Sequence, residues 1–169
     1  MADDAARNGL IAADVLELVA TGRSPLVLTE RVAHVEVLAA MLGEAVPHLV
    51  VLRGATGARR RKAAMEALDA IPSGAPCVIL ATGRYIGEGF DDSRPDTLLL
   101  AMPVSWKGTV LQYAGRISRP RETKDEVRIY DYADLEVPVL AAMYNKRLRA
   151  YRAMGYTMPP GDVRPHGGR

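Results

Sequence analysis

Short apolar runs alternate along the chain with longer segments in which apolar residues recur every three or four positions. Short runs bounded by turn residues predict buried strands, and the longer periodic segments predict amphipathic helices. The predicted strands cover 26–29, 49–52, 77–81, 96–101 and 127–132. The predicted helices cover 8–21, 30–44, 58–70, a segment that includes 112–119, and 137–154. Asn8 is the predicted N-cap of the first helix, because its side chain can accept a hydrogen bond from a helix N-terminal amide.

Strands that alternate with helices are typical of a doubly wound α/β fold with a mostly parallel sheet. Ligands of such sheets bind beyond the carboxyl ends of the strands. Thr29, Arg53, Gly54, Thr82 and Gly83 lie at the ends of predicted strands or directly after them. The pattern therefore predicts a ligand site at this edge of the sheet.

Composition narrows the class of protein. The 169 residues, 49% of them apolar and 25% charged, suit one soluble domain with a single core. No apolar run approaches the ~20 residues of a membrane span, and the acidic start has no signal-peptide core, so a cytoplasmic protein without a membrane partner is expected. One cysteine and three scattered histidines predict no metal site. The net charge of +2 barely favours nucleic acid, but the cations cluster at 59–62 and 146–152.

The segment from Gln112 to Arg119 contains two arginines three residues apart. It fits the pattern Gln-x-x-Gly-Arg-x-x-Arg, which puts Arg116 and Arg119 on one face of a helix. Paired guanidiniums suit a dense anion such as a triphosphate, because each can form parallel hydrogen bonds to phosphate oxygens. Taken alone, the segment is equally consistent with an ordinary basic helix face.

A glycine-rich segment lies upstream of these arginines. The apolar run that ends at Ala81 leads into Thr-Gly-Arg-Tyr-Ile-Gly-Glu-Gly-Phe-Asp at 82–91. Glycines after a buried strand predict a loop in which the backbone can approach a ligand closely.

The two segments together resemble motifs V and VI of superfamily 2 helicases, and Leu-Thr-Glu-Arg at 28–31 resembles motif IV. The whole chain is most similar to DEAD/DEAH-type helicases of bacterial restriction and DNA-repair systems. The resemblance implies the second, C-terminal RecA-like domain of such a protein. It would be a three-layer αβα sandwich with a mostly parallel central sheet over 1–158, followed by a flexible tail at 159–169.

The resemblance also implies two groups of site residues. The nucleic-acid strand would contact Thr29, Arg31, Arg53, Gly54, Thr82 and Gly83. ATP would contact Gln112, Gly87, Glu88, Gly89 and Asp91, with Arg119 and Arg116 as the catalytic residues. Arg119 is the expected arginine finger, a group that stabilises charge on the transferring phosphoryl. Two features stay open: the cations at 59–62 either contact phosphate or form a solvated helix face, and Trp106 either stacks on a base or anchors packing.

The sequence departs from complete helicases at two places. It contains no Gly-x-x-x-x-Gly-Lys-[Ser/Thr] and no Asp-Glu-x-His box. ATP and Mg²⁺ are therefore expected to be held mainly by an N-terminal RecA-like domain of the same protein, and the chain alone is expected to be inactive. The chain would then be an excised second domain or one piece of a split protein.

These observations predict the second motor domain of an ATP-dependent helicase or translocase. It would supply the arginine finger and part of the nucleic-acid track, with DNA favoured over RNA. The alternative is a stand-alone nucleic-acid-binding module without ATPase activity. A small-molecule transferase is disfavoured, because no glycine fingerprint follows the first strand.

Overall fold

The computed structural model describes residues 4–53, 58–87, 92–102, 109–117 and 126–159. Within these ranges five strands alternate with helices. The strands are β1 (Pro25–Thr29), β2 (Leu49–Leu52), β3 (Val78–Thr82), β4 (Thr97–Leu100) and β5 (Arg128–Asp131). The helices are α1 (Ala5–Ala20), α2 (Val32–Leu42), α3 (Ala58–Asp69), α4 (Gly83–Gly87), α5 (Thr109–Ile117) and α6 (Pro138–Ala153). None of these helices is long and apolar enough to cross a membrane.

The strands form one parallel sheet with the order β2-β3-β1-β4-β5. Successive side chains of a strand point to opposite faces, and the burial follows that rule. Leu26 and Leu28 pack with residues of α3, α4, α5 and α6, whereas Val27 packs with α1 and α2. The sheet is therefore covered by helices on both faces, which confirms the predicted α/β sandwich.

Most predicted elements differ from the observed ones by at most two residues at each end, but the start of α1 was wrong. The helix begins at Ala5, and the Asp4 side chain caps it by accepting a hydrogen bond from the backbone N–H of Arg7 at 3.0 Å. Asn8 is buried within α1, and its Oδ1 lies 2.8 Å from Nε2 of His34. The Asn8 amide satisfies a buried side chain instead of a helix N-terminus.

The glycine-rich segment after β3 also differs from the prediction. Thr82 is the last residue of the strand, and α4 begins at once with Gly83 and continues to Gly87. Residues 83–87 are thus helical rather than a loop, because two buried side chains, Tyr85 and Ile86, anchor this turn to the core beneath it.

Buried ion pairs hold α1 and α6 to the carboxyl end of β5. The Nε and Nη2 atoms of Arg147 lie 2.6 Å and 2.8 Å from the two carboxylate oxygens of Asp131, and Arg147 is only 1% exposed. The hydroxyl of Tyr151 donates to the same carboxylate at 2.9 Å. Burial, and then the negative charge of Asp131, raise the pKa of Tyr151. On the other face, Arg7 of α1 pairs with Asp134.

Candidate functional site

Three of the predicted site positions lie side by side at the carboxyl edge of the sheet. β3 lies between β2 and β1, with Thr82 in register with Thr29 and Ala81 in register with Leu52. Arg53 directly follows Leu52. Parallel pairing therefore places Arg53, Thr82 and Thr29 at the ends of three adjacent strands, although they are far apart in the sequence.

Gly83 connects the two segments that carry the sequence patterns. The hydroxyl of Tyr113, on α5, donates a hydrogen bond to the carbonyl oxygen of Gly83 at 2.5 Å. A Cβ at position 83 would lie 2.8 Å from Oε1 of Glu30 and 3.1 Å from the Tyr113 hydroxyl. A side chain at this position would force the Glu30 carboxylate and the Tyr113 hydroxyl to shift, so glycine fits the space without displacing either.

The hydroxyl of Thr29 is engaged inside the protein. It lies 2.9 Å from Nδ1 of His34, whose Nε2 bonds Asn8, and all three side chains are buried. The backbone N–H of Arg31 donates to the same hydroxyl at 3.4 Å. These bonds fix the turn from β1 to α2 and leave Glu30 and Arg31 as its exposed side chains. The geometry makes Thr29 a residue that positions this turn.

A cavity of about 330 Å³ opens between β2, α3 and α4. It is lined by Val51, Leu52, Arg53, Arg60, Arg61, Ala64 and Tyr85. Arginine supplies three of these residues, and the described lining contains no carboxylate. The side chain of Arg53 also forms an exposed salt bridge at 3.1 Å with Glu36 of α2. Concentrated positive charge in a concave surface suits a phosphate group.

Tyr85 and Arg61 face each other in this cavity. The guanidinium of Arg61 lies 5.1 Å from the centroid of the Tyr85 ring, a cation–π contact. Tyr85 is 3% exposed, and its buried hydroxyl has no hydrogen-bond partner in the part of the chain that the structure describes. Such hydroxyls are uncommon in folded proteins, since a buried polar group normally has a partner.

The predicted nucleotide side of the site is only partly described. Gln112 is exposed on α5, beside the buried Tyr113. Arg116 lies on α5, but its side chain is outside the described part of the structure. Gly87 is the last residue of α4. Glu88, Gly89, Asp91, Arg119, Gly54 and Trp106 lie outside the described residues altogether. Their roles stay predictions. Within the described ranges, no group of three or more His, Cys, Asp or Glu could hold a metal ion.

Comparison with protein-family models gives no match, and comparison with curated proteins gives none either. Solved structures do match. The C-terminal part of the Fun30 ATPase domain is similar with a TM-score of 0.66 and 14% identity, over 82% of this chain and 43% of that one. T4 UvsW is similar with a TM-score of 0.64 and 19% identity, over 88% of this chain and 32% of that one.

The chain has a RecA-like fold. This confirms the fold expected from the sequence resemblance. The chain spans less than half the length of either solved structure. At these identities the likeness concerns the fold alone.

Sequence reasoning missed three residues of this edge. Tyr85 was hidden within the glycine-rich segment, where an aromatic residue gave no sign of lining a cavity with Arg61. Glu30 lies beside Gly83 of α4, and His34 of α2 bonds Asn8 of α1. A cation cluster at 59–62 was visible in the sequence, and Arg60 and Arg61 prove to line the cavity.

Proposed function

We propose that this chain is the second motor domain of an ATP-dependent nucleic-acid helicase or translocase. The hydrogen bond from Tyr113 to Gly83 carries the proposal. It joins the helix with the Gln-x-x-Gly-Arg-x-x-Arg pattern to the strand end with Thr-Gly, inside a RecA-like sheet. In a motor of this kind the nucleotide site and the nucleic-acid track must be mechanically connected, and this contact is a direct connection. The similarity to a fragment of the Fun30 ATPase domain supports the same proposal.

The nucleic-acid track would run along the carboxyl ends of β2, β3 and β1. Thr82 and Gly83 would meet one phosphate, and Arg31, Arg53 and Gly54 would meet its neighbours, with Thr29 positioning the turn that carries Arg31. The cavity beside Arg53 supports this assignment, because arginine and backbone N–H groups are common phosphate ligands. Contacts of this kind hold a strand without reading its sequence. DNA is the favoured strand on the resemblance to restriction and repair helicases.

The nucleotide side would be formed by α5 and the segment after α4. Gln112, Gly87, Glu88, Gly89 and Asp91 would face the nucleotide, and Arg116 and Arg119 would neutralise its phosphates. Since the sequence contains no Gly-x-x-x-x-Gly-Lys-[Ser/Thr] and no Asp-Glu-x-His box, Mg²⁺ and most of the ATP contacts are assigned to an N-terminal RecA-like domain. ATP supplies the phosphoryl group when bound. Arg119 stabilises the charge that develops on that group as the cleft between the domains closes.

Arg119→Ala tests this proposal in a protein that joins the chain to its first RecA-like domain. We expect kcat for ATP hydrolysis to fall by ~10³ or more, because an arginine finger acts mainly in the transition state. The free energy of unfolding should change by no more than ~0.5 kcal/mol, because the finger is expected to act on ATP held by the other domain and not on the fold. Arg119→Lys should not restore the rate, since an ammonium lacks the planar fork. Arg149→Ala, on the exposed face of α6, is the matched control. A near-wild-type kcat in Arg119→Ala would refute the assignment.

The cavity also favours a second candidate, a nucleic-acid-binding module that serves no ATPase. Its three arginines would bind a strand whether or not a nucleotide is present. The two candidates differ in one measurement, namely ATP hydrolysis by the joined protein with and without single-stranded DNA. Binding without any strand-stimulated hydrolysis would select the module.

A further inference from the structure

The carboxylate of Glu30 occupies the space beside Gly83. Its Oε1 would lie 2.8 Å from a Cβ at position 83, and its Cδ would lie 3.4 Å away. The residue is exposed, and within the described part of the chain no hydrogen bond or salt bridge holds its carboxylate.

The surroundings of Glu30 are rich in cations. Arg31 is its direct neighbour in the sequence, and Arg84 follows Gly83. Arg53 directly follows β2, which lies on the other side of β3. Glu36 already pairs with Arg53. Glu30 differs from Glu36 because it lies against backbone where the proposed track has its Thr-Gly phosphate contact. A phosphate that approached Gly83 would meet this carboxylate at contact distance.

We propose that Glu30 competes with a nucleic-acid phosphate for the space beside Gly83 and thereby weakens the hold of this domain on the strand. The inference rests on the proposed function, since it assumes that a strand passes Gly83. Two like charges about 4 Å apart repel each other appreciably even in water, so the carboxylate must swing away before a phosphate can enter. A domain that must release and rebind a strand repeatedly is served by such a competitor.

The geometry can be tested without nucleic acid. Gly83→Ala should lower Tm, because the new methyl group would displace the Glu30 carboxylate and the Tyr113 hydroxyl, which bonds the Gly83 carbonyl oxygen. The decrease in Tm should be smaller when Gly83→Ala is made in a Glu30→Ala background, because the contact with the Glu30 carboxylate is then absent. Gly115→Ala on α5 is the control, since a Cβ there meets nothing within 4 Å. An equal loss in both backgrounds would place the Glu30 side chain away from Gly83 and overturn the inference.

The competition is tested by fluorescence anisotropy with a labelled oligo-dT and the 169-residue chain. Glu30→Gln keeps the shape and removes the charge, and we expect it to bind about fivefold tighter at low salt. The gain should shrink as salt rises, because added ions screen the repulsion. Glu17→Gln, which removes an exposed charge from α1, controls for the change in net charge.

The outcomes separate the inference from the proposed function. If wild type binds and Glu30→Gln binds no more tightly than Glu17→Gln, the inference alone is overturned. If none of the three proteins binds at any salt concentration, the proposed function fails and the inference fails with it. Selective tightening in Glu30→Gln, together with the rescued stability of Gly83→Ala, supports both.

Discussion

Arginine and tyrosine meet at both edges of the sheet, with opposite consequences. At the β5 edge, Arg147 and Tyr151 both bond the carboxylate of Asp131, and the group is buried. At the β2 edge, Arg61 lies over the ring of Tyr85 in a cavity whose described lining has no carboxylate. The same two residue types thus bond a buried carboxylate in one place and line a cavity in the other.

The difference shows that tertiary placement, and not the residue type, decides whether an arginine is buried against a carboxylate or lines a cavity. A buried guanidinium that forms two hydrogen bonds to one carboxylate has its charge neutralised within the protein. A cationic cavity retains positive potential toward solvent and attracts an external anion. Removing one group from the β5 edge should therefore change stability, and removing one from the β2 edge should change binding.

The largest effect on the free energy of unfolding is expected for Arg147→Ala at the β5 edge. It leaves the Asp131 carboxylate buried without its counter-ion, and breaking such a pair typically costs ~3–5 kcal/mol of unfolding free energy. Denaturant titration followed by circular dichroism measures the loss. Arg149→Ala, two residues along the same helix and exposed, should change stability by no more than ~0.5 kcal/mol. Equal effects of the two substitutions would mean that the buried pair contributes nothing specific.

A smaller effect, on binding rather than stability, is expected for Arg61→Gln at the β2 edge. If Arg61 faces a phosphate, its loss should weaken single-stranded DNA binding at all sequences and reduce the slope of log K against log salt by ~1. Anisotropy titrations at several salt concentrations measure this slope. Arg59→Gln, an exposed neighbour that does not line the cavity, is the control. An unchanged slope in Arg61→Gln would exclude the cavity from the track.

The sequence predicted the sheet well because its evidence was local. β1 to β4 are short apolar runs, and such a run predicts a strand, as in 49–52, which forms β2 without any shift of its ends. Parallel pairing then follows from the helices between the strands. The strand-end positions Thr29 and Thr82 were predictable for the same reason, and the register of β1 with β3 brings them together.

The sequence could not predict the contacts that distinguish the two edges. Arg147 belongs to the cation cluster at 146–152, yet it is 1% exposed, because it pairs with Asp131 on another element. Asn8 looked like a helix cap, but the histidine that it bonds lies on α2. Such pairings depend on tertiary geometry, and no local pattern encodes them.

The smallest effect is expected for Tyr85→Phe, with Tyr151→Phe as its matched control. The Tyr151 hydroxyl donates to a carboxylate, and losing a hydrogen bond to a charged group costs ~1.5–3 kcal/mol. The Tyr85 hydroxyl has no partner among the described residues, so its removal leaves no acceptor unsatisfied. We therefore expect Tyr85→Phe to leave stability unchanged or to raise it by up to ~1 kcal/mol, since a buried unpaired hydroxyl is itself unfavourable.

The same two variants also test whether the Tyr85 hydroxyl contributes to DNA binding. Phenylalanine keeps the ring under Arg61, so any change in affinity reports on the hydroxyl alone. The hydroxyl is buried, so a phosphate reaches it only if the cavity widens when the strand binds; Tyr85→Phe should then weaken oligo-dT binding by a few-fold, in line with ~0.5–1.5 kcal/mol for one hydrogen bond. Tyr151→Phe should leave the affinity of the folded protein unchanged. If Tyr85→Phe instead destabilises the fold as much as Tyr151→Phe does, then its hydroxyl has an internal partner, and the β2 edge is as complete as the β5 edge.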